Sequence, residues 1–308
     1  NFNLSVKIYR SIVIMKTSII YWVSAFLLTV LGACSSRPSL VVKELQCEKL
    51  VNPLAIDQTK PYLSWQLETN ENAVHQSAYQ ILAATDEDLL TEEKADLWNS
   101  GKVESSESAW VLYQGDELSS KSFVYWKVRV WDGDDKASDW SETACFGIGL
   151  LNPSDWKAAY IGSDTLSGKP QSPLLWKDFQ WNQKGEKAFL HVNSLGYHEV
   201  YLNGKKVGDA VLAPAVSQFD KRSLIVTYDV TDLLEKGEND LVLWLGKGWY
   251  QDGLPGVVKG GPFVRAQLEE FEDGEWRTSL VTDSTWKTRE SGYVSTGTWR
   301  PWQFGGGE

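Results

Sequence analysis

Short runs of alternating apolar and polar residues recur along the chain, and each run is typical of a β-strand with one buried face. The strands predicted in the first half are Leu63 to Leu67, Ala78 to Ala84, Val124 to Val130 and Thr143 to Ile148. Those predicted in the second half are Leu174 to Phe179, Ala188 to Val192, Glu199 to Leu202, Leu224 to Tyr228, Leu241 to Leu245, Phe263 to Phe271 and Trp276 to Val281. Turn-forming residues separate these runs, so the pattern predicts an all-β fold.

One run shows the alternation most clearly. The side chains predicted to share its buried face are Val124, Trp126, Val128 and Val130. We therefore expect Trp126 and Trp140 to serve core or edge packing rather than to form a ligand platform. Outside the strands, 86–94 is acidic and contains leucines, which favours a short helix or a loop, and 229–234 is predicted to form one helical turn.

Two dipeptides predict tight hairpins. Asn203-Gly204 follows an alternating segment, Tyr197 to Leu202, and Asp273-Gly274 separates two predicted strands. Both pairs suit a type I′ turn, because that turn needs two residues that tolerate positive φ. Each pair should therefore join two antiparallel neighbours.

Length and composition limit the function classes. The chain has 308 residues, of which 42% are hydrophobic, so it can fold into about two domains with real cores. We predict these at about residues 40–150 and 155–304, with the joint at 156–162. The formal net charge of −11 disfavours nucleic-acid binding, because an acidic surface repels phosphates. The 16 Trp and 12 Tyr suit carbohydrate handling and β-cores equally well.

An export signal is predicted near the start. Lys16 follows the single methionine, Met15, and the apolar segment Ile19 to Leu31 comes next. This segment is too short to span a bilayer, and Leu31-Gly-Ala-Cys34 matches a bacterial lipobox. We expect residues 1–14 to precede the true start, 15–33 to be a signal peptide, and 34–39 to be a tether lipidated at Cys34. The protein would then be exported and held on a bacterial membrane, facing the periplasm or the cell surface.

Two further cysteines, Cys47 and Cys145, would then lie in an oxidising compartment. They fall near the two ends of the first domain, and their spacing does not establish whether they meet. We expect two unbonded, buried thiols, with a disulfide as the alternative.

A series of motifs in the second domain resembles a known family. Leu195-Gly-Tyr-x-Glu-x-Tyr-x-Asn-Gly204 is followed by Thr227-Tyr-Asp-Val-Thr231, Gly237-Glu-Asn239 and Gly246-x-Gly-Trp-Tyr250. In this order and spacing they resemble the N-terminal jelly roll of bacterial α-L-rhamnosidases. The first domain resembles the fibronectin type III-like module that precedes that jelly roll, through Leu97-Trp-Asn-Ser-Gly-Lys-Val103, Tyr125-Trp-Lys-Val-Arg-Val-Trp131 and Asp139-Trp-Ser141.

The resemblance implies a fibronectin type III-like sandwich followed by a galactose-binding-like jelly roll. In that family the catalytic acids lie in a helical barrel, which would follow Glu308, so we expect no catalytic residue here. Glycoside hydrolysis needs two carboxylates placed across the scissile bond, and no recognisable motif places such a pair in this chain. The parent enzyme would cleave rhamnose from glycans.

Sugar binding is the expected role of the second domain. Gly246 to Gly253 combines aromatic, amide and carboxylate side chains with glycines that let a backbone approach a ligand. The first candidates for sugar contact are Trp249, Tyr250 and Asp252, and the second are Trp299 and Trp302 on the terminal segment. The alternative is that Trp249 and Tyr250 pack against the catalytic domain.

No cofactor is required for either role. Some related modules hold rhamnose through calcium, and Asp252 with backbone carbonyls could ligate such an ion. His198 lies on the apolar face of its strand and is expected to be a core or interface histidine, while His75 and His191 are isolated. Two rival interpretations stay open: a free-standing surface glycan-binding lipoprotein, and a different hydrolase with the same N-terminal domains.

Overall fold

A computed structural model describes residues 40–163, 171–182, 186–251 and 261–294, without the side chains at positions 171, 249, 251 and 294. Over these residues the protein consists of two antiparallel β-sandwiches in series, and the predicted all-β class is confirmed. No helix among the described residues has the length and apolar character needed to cross a bilayer.

Eight strands build the first domain. They are β1 (Val41–Cys47), β2 (Tyr62–Glu68), β3 (Gln76–Ala84), β4 (Trp98–Asn99), β5 (Val103–Glu104), β6 (Val111–Leu112), β7 (Phe123–Asp132) and β8 (Ala144–Gly147). One sheet has the order β1-β2-β6, and the other has the order β4-β3-β7-β8 with β5 also paired to β3. The four predicted strands of this half correspond to β2, β3, β7 and β8.

The core of the first domain lies between these sheets, and β7 shows why. Its inward face is fully buried, with 0% exposure at Val124, Trp126, Val128 and Val130, as the alternation predicts. Trp65 on β2, in the other sheet, and Phe146 on β8, the neighbour of β7 in the same sheet, belong to the same core. Trp140 is half-buried beside Leu82 and Leu90, so both tryptophans serve packing.

The described part of the second domain contains nine strands. They are β9 (Gln171–Trp181), β10 (Lys187–Leu195), β11 (Tyr197–Leu202), β12 (Lys205–Lys206), β13 (Val226–Asp229), β14 (Gly237–Gly246), β15 (Phe263–Glu272), β16 (Glu275–Val281) and β17 (Lys287–Val294). The sheet β12-β11-β14-β9-β17 packs on the sheet β13-β10-β15-β16. All seven predicted strands of this half are present.

The two predicted hairpins are confirmed. Asn203 and Gly204 have φ values of 51° and 72° between β11 and β12, and Asp273 and Gly274 have 51° and 79° between β15 and β16. All four values are positive, as a type I′ turn requires.

Short turns complete the fold. The acidic segment after β3 forms a 3₁₀ turn, Glu87–Leu89. The side chain of Asp86 caps this turn by accepting a hydrogen bond from the backbone N–H of Asp88. After β13, the backbone N–H groups of Leu233 and Leu234 both donate to the carbonyl of Val230, which closes a single turn. Further 3₁₀ turns occur at Pro153–Asp155 and Gly248–Gln251.

Both described cysteines are free thiols, which confirms the expected absence of a bond between them, but only one of the two is buried as predicted. Cys47 is buried in the first core and Cys145 is half-buried on β8. Burial raises the pKa of the Cys47 thiol, with a smaller contribution from Glu48, so this thiol stays protonated.

Candidate functional site

The loop predicted to bind sugar follows β14 and forms the 3₁₀ turn Gly248–Gln251. Its glycines bring one backbone close to another. A Cβ added at Gly248 would lie 3.0 Å from the amide nitrogen of Tyr197, and one at Gly196 would clash with the carbonyl oxygen of Gly246. The start of β11 and the end of β14 can therefore approach this closely only because both positions lack side chains. Glycine is therefore needed at these positions for the close approach of two backbone segments. The sequence alone instead suggested that the glycines allow the approach of a ligand.

Tyr250 is the one predicted sugar-contacting residue whose side chain the structure describes. Its ring is 3% exposed and packs edge-on against Phe219 and Phe263, with centroid distances of 5.2 and 6.4 Å. A ring enclosed in this way offers no free face for a sugar. It packs inside its own domain, a position that differs both from the predicted sugar contact and from the alternative of packing against a catalytic domain.

The other predicted site residues lie outside what the structure describes. The side chain of Trp249 is not described, and Asp252, Trp299, Trp302 and the lipidation candidate Cys34 fall wholly outside the described residues. Sugar contact, calcium ligation at Asp252 and lipidation therefore stay predictions. Among the residues that are described, no group of three or more His, Cys, Asp or Glu side chains is arranged to hold a metal ion.

A serine, a histidine and a tyrosine form a hydrogen-bonded row inside the second domain. Ser194 Oγ lies 2.7 Å from Nδ1 of His198, and Nε2 of that ring lies 3.0 Å from the hydroxyl of Tyr228. Burial lowers the pKa of His198 to about 4 and raises that of Tyr228 to about 12. His198 is therefore neutral, and it is one of the two kinds of histidine that the sequence predicts, a core histidine.

This row is a structural element and not a nucleophilic site. Ser194 is 1% exposed, so no substrate reaches its hydroxyl, and a tyrosine stands where a catalytic triad has a carboxylate. The pairing was not visible in the sequence, because Tyr228 lies 30 residues after the histidine.

Two of the sequence motifs meet at a pair of asparagines. Nδ2 of Asn203, in the first hairpin, donates to Oδ1 of Asn239 at 2.8 Å and to the carbonyl of Leu233 at 3.0 Å. Oδ1 of Asn203 accepts from the backbone N–H of Asp240, in the first half of β14. The Asn-Gly and Gly-Glu-Asn blocks therefore tie β11 to β14 at one end of the sandwich.

The carboxyl groups with shifted pKa values are unlike a catalytic acid. The pKa of Glu199 is lowered by hydrogen bonds from Lys206 and Tyr201, and that of Asp283 is lowered by hydrogen bonds from Thr285. For Asp155, burial raises the pKa, but hydrogen bonds from Ser120 and Asn152 together lower it by a larger amount. The pKa of Asp155 is therefore below its ordinary value. A general acid in glycoside cleavage needs a raised pKa, so none of these three groups suits that role.

The joint between the two domains is polar and tightly bonded. Nζ of Lys121, just before β7, lies 2.9 Å from Oε2 of Glu269 on β15, as an ion pair without hydrogen-bond alignment. The carboxylate is fully buried and also accepts from Oγ1 of Thr278 at 2.8 Å. A buried charge is tolerated only when it is paired, so this contact ties the first domain to the second.

The linker adds further bonds across the joint. The side-chain oxygen of Gln267 accepts from the backbone N–H of Lys157 at 2.7 Å, and its Nε2 donates to the carbonyl of Asp155 at 2.9 Å. The guanidinium of Arg265 stacks 4.0 Å from the ring centroid of Trp156. The outer face of β15 is thus covered by the linker, which fixes how the chain enters the second domain.

The fold therefore defines a pair of β-sandwich domains held together by a buried polar joint. Residues 42–152 match the family model of the Rha78A-like N-terminal immunoglobulin domain, and residues 183–306 match that of the α-L-rhamnosidase N-terminal domain. The chain thus carries the two N-terminal domains of the α-L-rhamnosidase family in series, and the resemblance seen in the sequence is confirmed. The first domain, which resembled a fibronectin type III module, is an immunoglobulin-type sandwich in that description.

Similar proteins carry the same family name. The chain is 37% identical over 299 residues to an α-L-rhamnosidase of Formosa agariphila, covering 90% of this chain and 32% of the relative. It is 36% identical over 262 residues to one of Alteromonas sp. strain LOR, covering 80% of this chain and 28% of the relative. The chain therefore spans about a third of the length of these relatives.

Solved structures agree in fold. The α-L-rhamnosidase from Dictyoglumus thermophilum superposes with a TM-score of 0.72 at 32% identity, over 83% of this chain and 30% of that one. The enzyme from Aspergillus terreus superposes with a TM-score of 0.70 at 28% identity, over 82% and 29% of the two chains.

Proposed function

We propose that this chain is the non-catalytic N-terminal part of an α-L-rhamnosidase, and that its two sandwiches support a helical catalytic domain encoded after them. The observation that carries the proposal is the match of both domains, in order, to about 30% of the length of proteins named α-L-rhamnosidase. The substrates of the whole protein would be rhamnose-bearing glycans. The rival interpretation, a free-standing glycan-binding lipoprotein, predicts a stop codon instead of a catalytic domain downstream.

The 308-residue chain produced alone is expected to release no rhamnose from p-nitrophenyl α-L-rhamnoside. The physical reason is that cleavage needs a raised-pKa acid and a second carboxylate about 5 to 9.5 Å away, and the described carboxyl groups with shifted pKa values are all lowered. Release of p-nitrophenol is followed by absorbance, with a full-length relative as the positive control. Turnover above the buffer blank would overturn the non-catalytic assignment.

An exposed apolar loop supports the scaffold role. Val211 is 76% exposed and Leu212 is 70% exposed, and Val216 and Ile225 add to the same stretch. Contiguous exposed apolar side chains of this kind mark interaction surfaces. A backbone hydrogen bond holds the loop against β11: the N–H of His198 donates to the carbonyl of Ala213 at 2.9 Å.

The loop lies at the same end of the second sandwich as the end of β17. Phe219 packs on Tyr250 in the turn after β14. Near the end of β17, Tyr293 packs on Trp244 of β14, with ring centroids 5.3 Å apart. The loop and the end of β17 therefore lie at the same end of the sandwich, and we take the occupant of the loop surface to be the catalytic domain of the full-length protein.

Substituting the loop tests this surface. In the full-length protein, the double variant Val211→Asp/Leu212→Asp is expected to lower the melting temperature and the rhamnosidase activity, because two charges would be buried at the domain contact. In the isolated 308-residue chain the same variant should change the free energy of unfolding by less than about 0.5 kcal/mol. Val51→Asp is the matched control, since Val51 is 63% exposed on the first domain. Equal behaviour of the two variants in the full-length protein would contradict the docking role.

We also propose that the loop after β14 binds sugar, with Trp249 and Asp252 as the contacting residues. Asp252 would do so either directly or as the ligand of a calcium ion. The protein would be exported and anchored to a bacterial membrane through Cys34. This rests on the charged residue at Lys16, the apolar segment and the lipobox.

A further inference from the structure

An open cleft of about 570 Å³ lies between the two domains. Residues 117–123 of the first domain form one wall, and Lys187, Phe271 and Trp276 of the second domain form the other. This volume falls within the range of about 300 to 1,000 Å³ that is typical of small-ligand sites. Such sites occur preferentially between domains.

Aromatic side chains from both domains line the cleft and hold one another in place. The ring of Phe123 lies 5.8 Å from that of Phe189, which lies 5.1 Å from Trp276, and Trp276 lies 5.2 Å from Phe271. The ammonium of Lys187 sits 5.2 Å from the centroid of Phe123 and 5.4 Å from that of Phe271. The aromatic side chains of the cleft are therefore preorganised for a ligand.

Polar groups complete the lining. Ser119 and Ser122 supply hydroxyls, and three exposed carboxylates, Asp86, Glu117 and Glu186, also line the cleft. The two cations are Lys187 and Lys121, and the second is paired with Glu269. The carboxylates disfavour polyanions, and they accept hydrogen bonds well from hydroxyl groups.

The cleft is also held rigid. The ion pair between Lys121 and Glu269 and the bonds of Gln267 to the linker fix the two walls relative to each other. A ligand would then bind without the cost of ordering the domains, which favours measurable affinity from few contacts.

We propose that this cleft is a binding site for a neutral oligosaccharide. Trp276 and Phe271 would stack on the C–H faces of pyranose rings, and Glu117 and Glu186 would accept hydrogen bonds from sugar hydroxyls. This site is distinct from the loop after β14. The inference rests on the proposed function only for the choice of rhamnose-containing probes.

The test is isothermal titration of the 308-residue chain with L-rhamnose, with a neutral α-L-rhamnosyl disaccharide, and with polygalacturonate as the anionic comparison. We expect saturable binding of the disaccharide and none of the polyanion. Trp276→Ala should weaken disaccharide binding at least about tenfold. Because Trp276 also packs on Phe189, Ser119→Trp serves as a second variant that fills the cleft without removing a packed side chain. We expect Ser119→Trp to weaken binding as strongly.

One matched substitution separates the cleft from other aromatic surfaces. Trp110→Ala removes an exposed tryptophan of the first domain that does not line the cleft. It should change the affinity less than about twofold. Loss of binding in Trp110→Ala, persistence of binding in both Trp276→Ala and Ser119→Trp, or no saturable binding at about 10 mM disaccharide would overturn the proposal. These failures leave the scaffold role untouched, since that role is tested by Val211→Asp/Leu212→Asp in the full-length protein.

Discussion

Replacing Gly196 with alanine is expected to destabilise the second domain by about 3 kcal/mol or more. The residue has φ = 123°, which L-residues rarely adopt, and its Cβ would meet the carbonyl oxygens of Gly246 and Lys247, the second at 3.1 Å. Both obstacles are backbone atoms, which cannot rotate away as a side chain does. The clash would push apart β11 and β14, whose pairing begins at the next residue, Tyr197.

Gly237→Ala is the matched control for this prediction. Gly237 also has a positive φ, 105°, but nothing lies within 4 Å of an added Cβ. It should therefore show the conformational cost alone, about 1 to 3 kcal/mol. Urea titrations followed through the unfolding transition of the second domain compare the two variants. Equal destabilisation by both substitutions would show that the close approach of β11 and β14 at Gly196 does not contribute to the effect of Gly196→Ala.

Lowering the pH from 7 to 4 is expected to remove about 3 kcal/mol of stability for each of two buried histidines. Burial lowers the pKa of both His191 and His198 to about 4, from an ordinary value of 6.5. Between these values the unfolded chain binds protons that the folded chain does not. The stabilisation is therefore complete above pH 6.5 and is lost as the pH falls towards 4.

His198 is the cleaner probe of this effect. Burial alone accounts for its lowered pKa, whereas the pKa of His191 is also raised by Glu269 and lowered by Lys121. His198→Gln should flatten the dependence of the unfolding free energy on pH between 6.5 and 4, although it lowers stability at pH 7. His75→Gln, at an exposed position, is the matched control for replacing a histidine with glutamine. A slope in His198→Gln equal to that of the unmodified chain would contradict the assignment.

Strands with regular alternation could be predicted from sequence, and strands without it could not. β1 breaks the pattern because its pairing with β2 shifts between Lys43 and Gln46, around Glu44 at φ = 51°. β17 is an edge strand with a register shift after Glu290, and its side chains are largely polar. A bulge or a solvent-facing edge removes the periodicity on which such a prediction depends.

The binding site could be predicted from the sequence less well than the fold could. Aromatic and glycine residues in Gly246 to Tyr250 suit sugar binding by composition, yet Tyr250 packs inside the domain and Gly248 lies against the backbone at Gly196. Composition cannot distinguish a ring that stacks on a ligand from one that stacks on Phe219. The cleft was missed entirely, since no motif marks it.

The sequence by itself determined the all-β class, the two hairpins, the buried face of β7, the position of His198 on an apolar strand face and membership of the α-L-rhamnosidase family. These depend on residues close together in the chain, whose spacing or turn chemistry is readable directly. Only the tertiary structure decided the polar joint, the Ser194–His198–Tyr228 row and the cleft. Each joins residues far apart in sequence, such as Lys121 and Glu269, and their meeting depends on how whole sheets pack rather than on any local pattern.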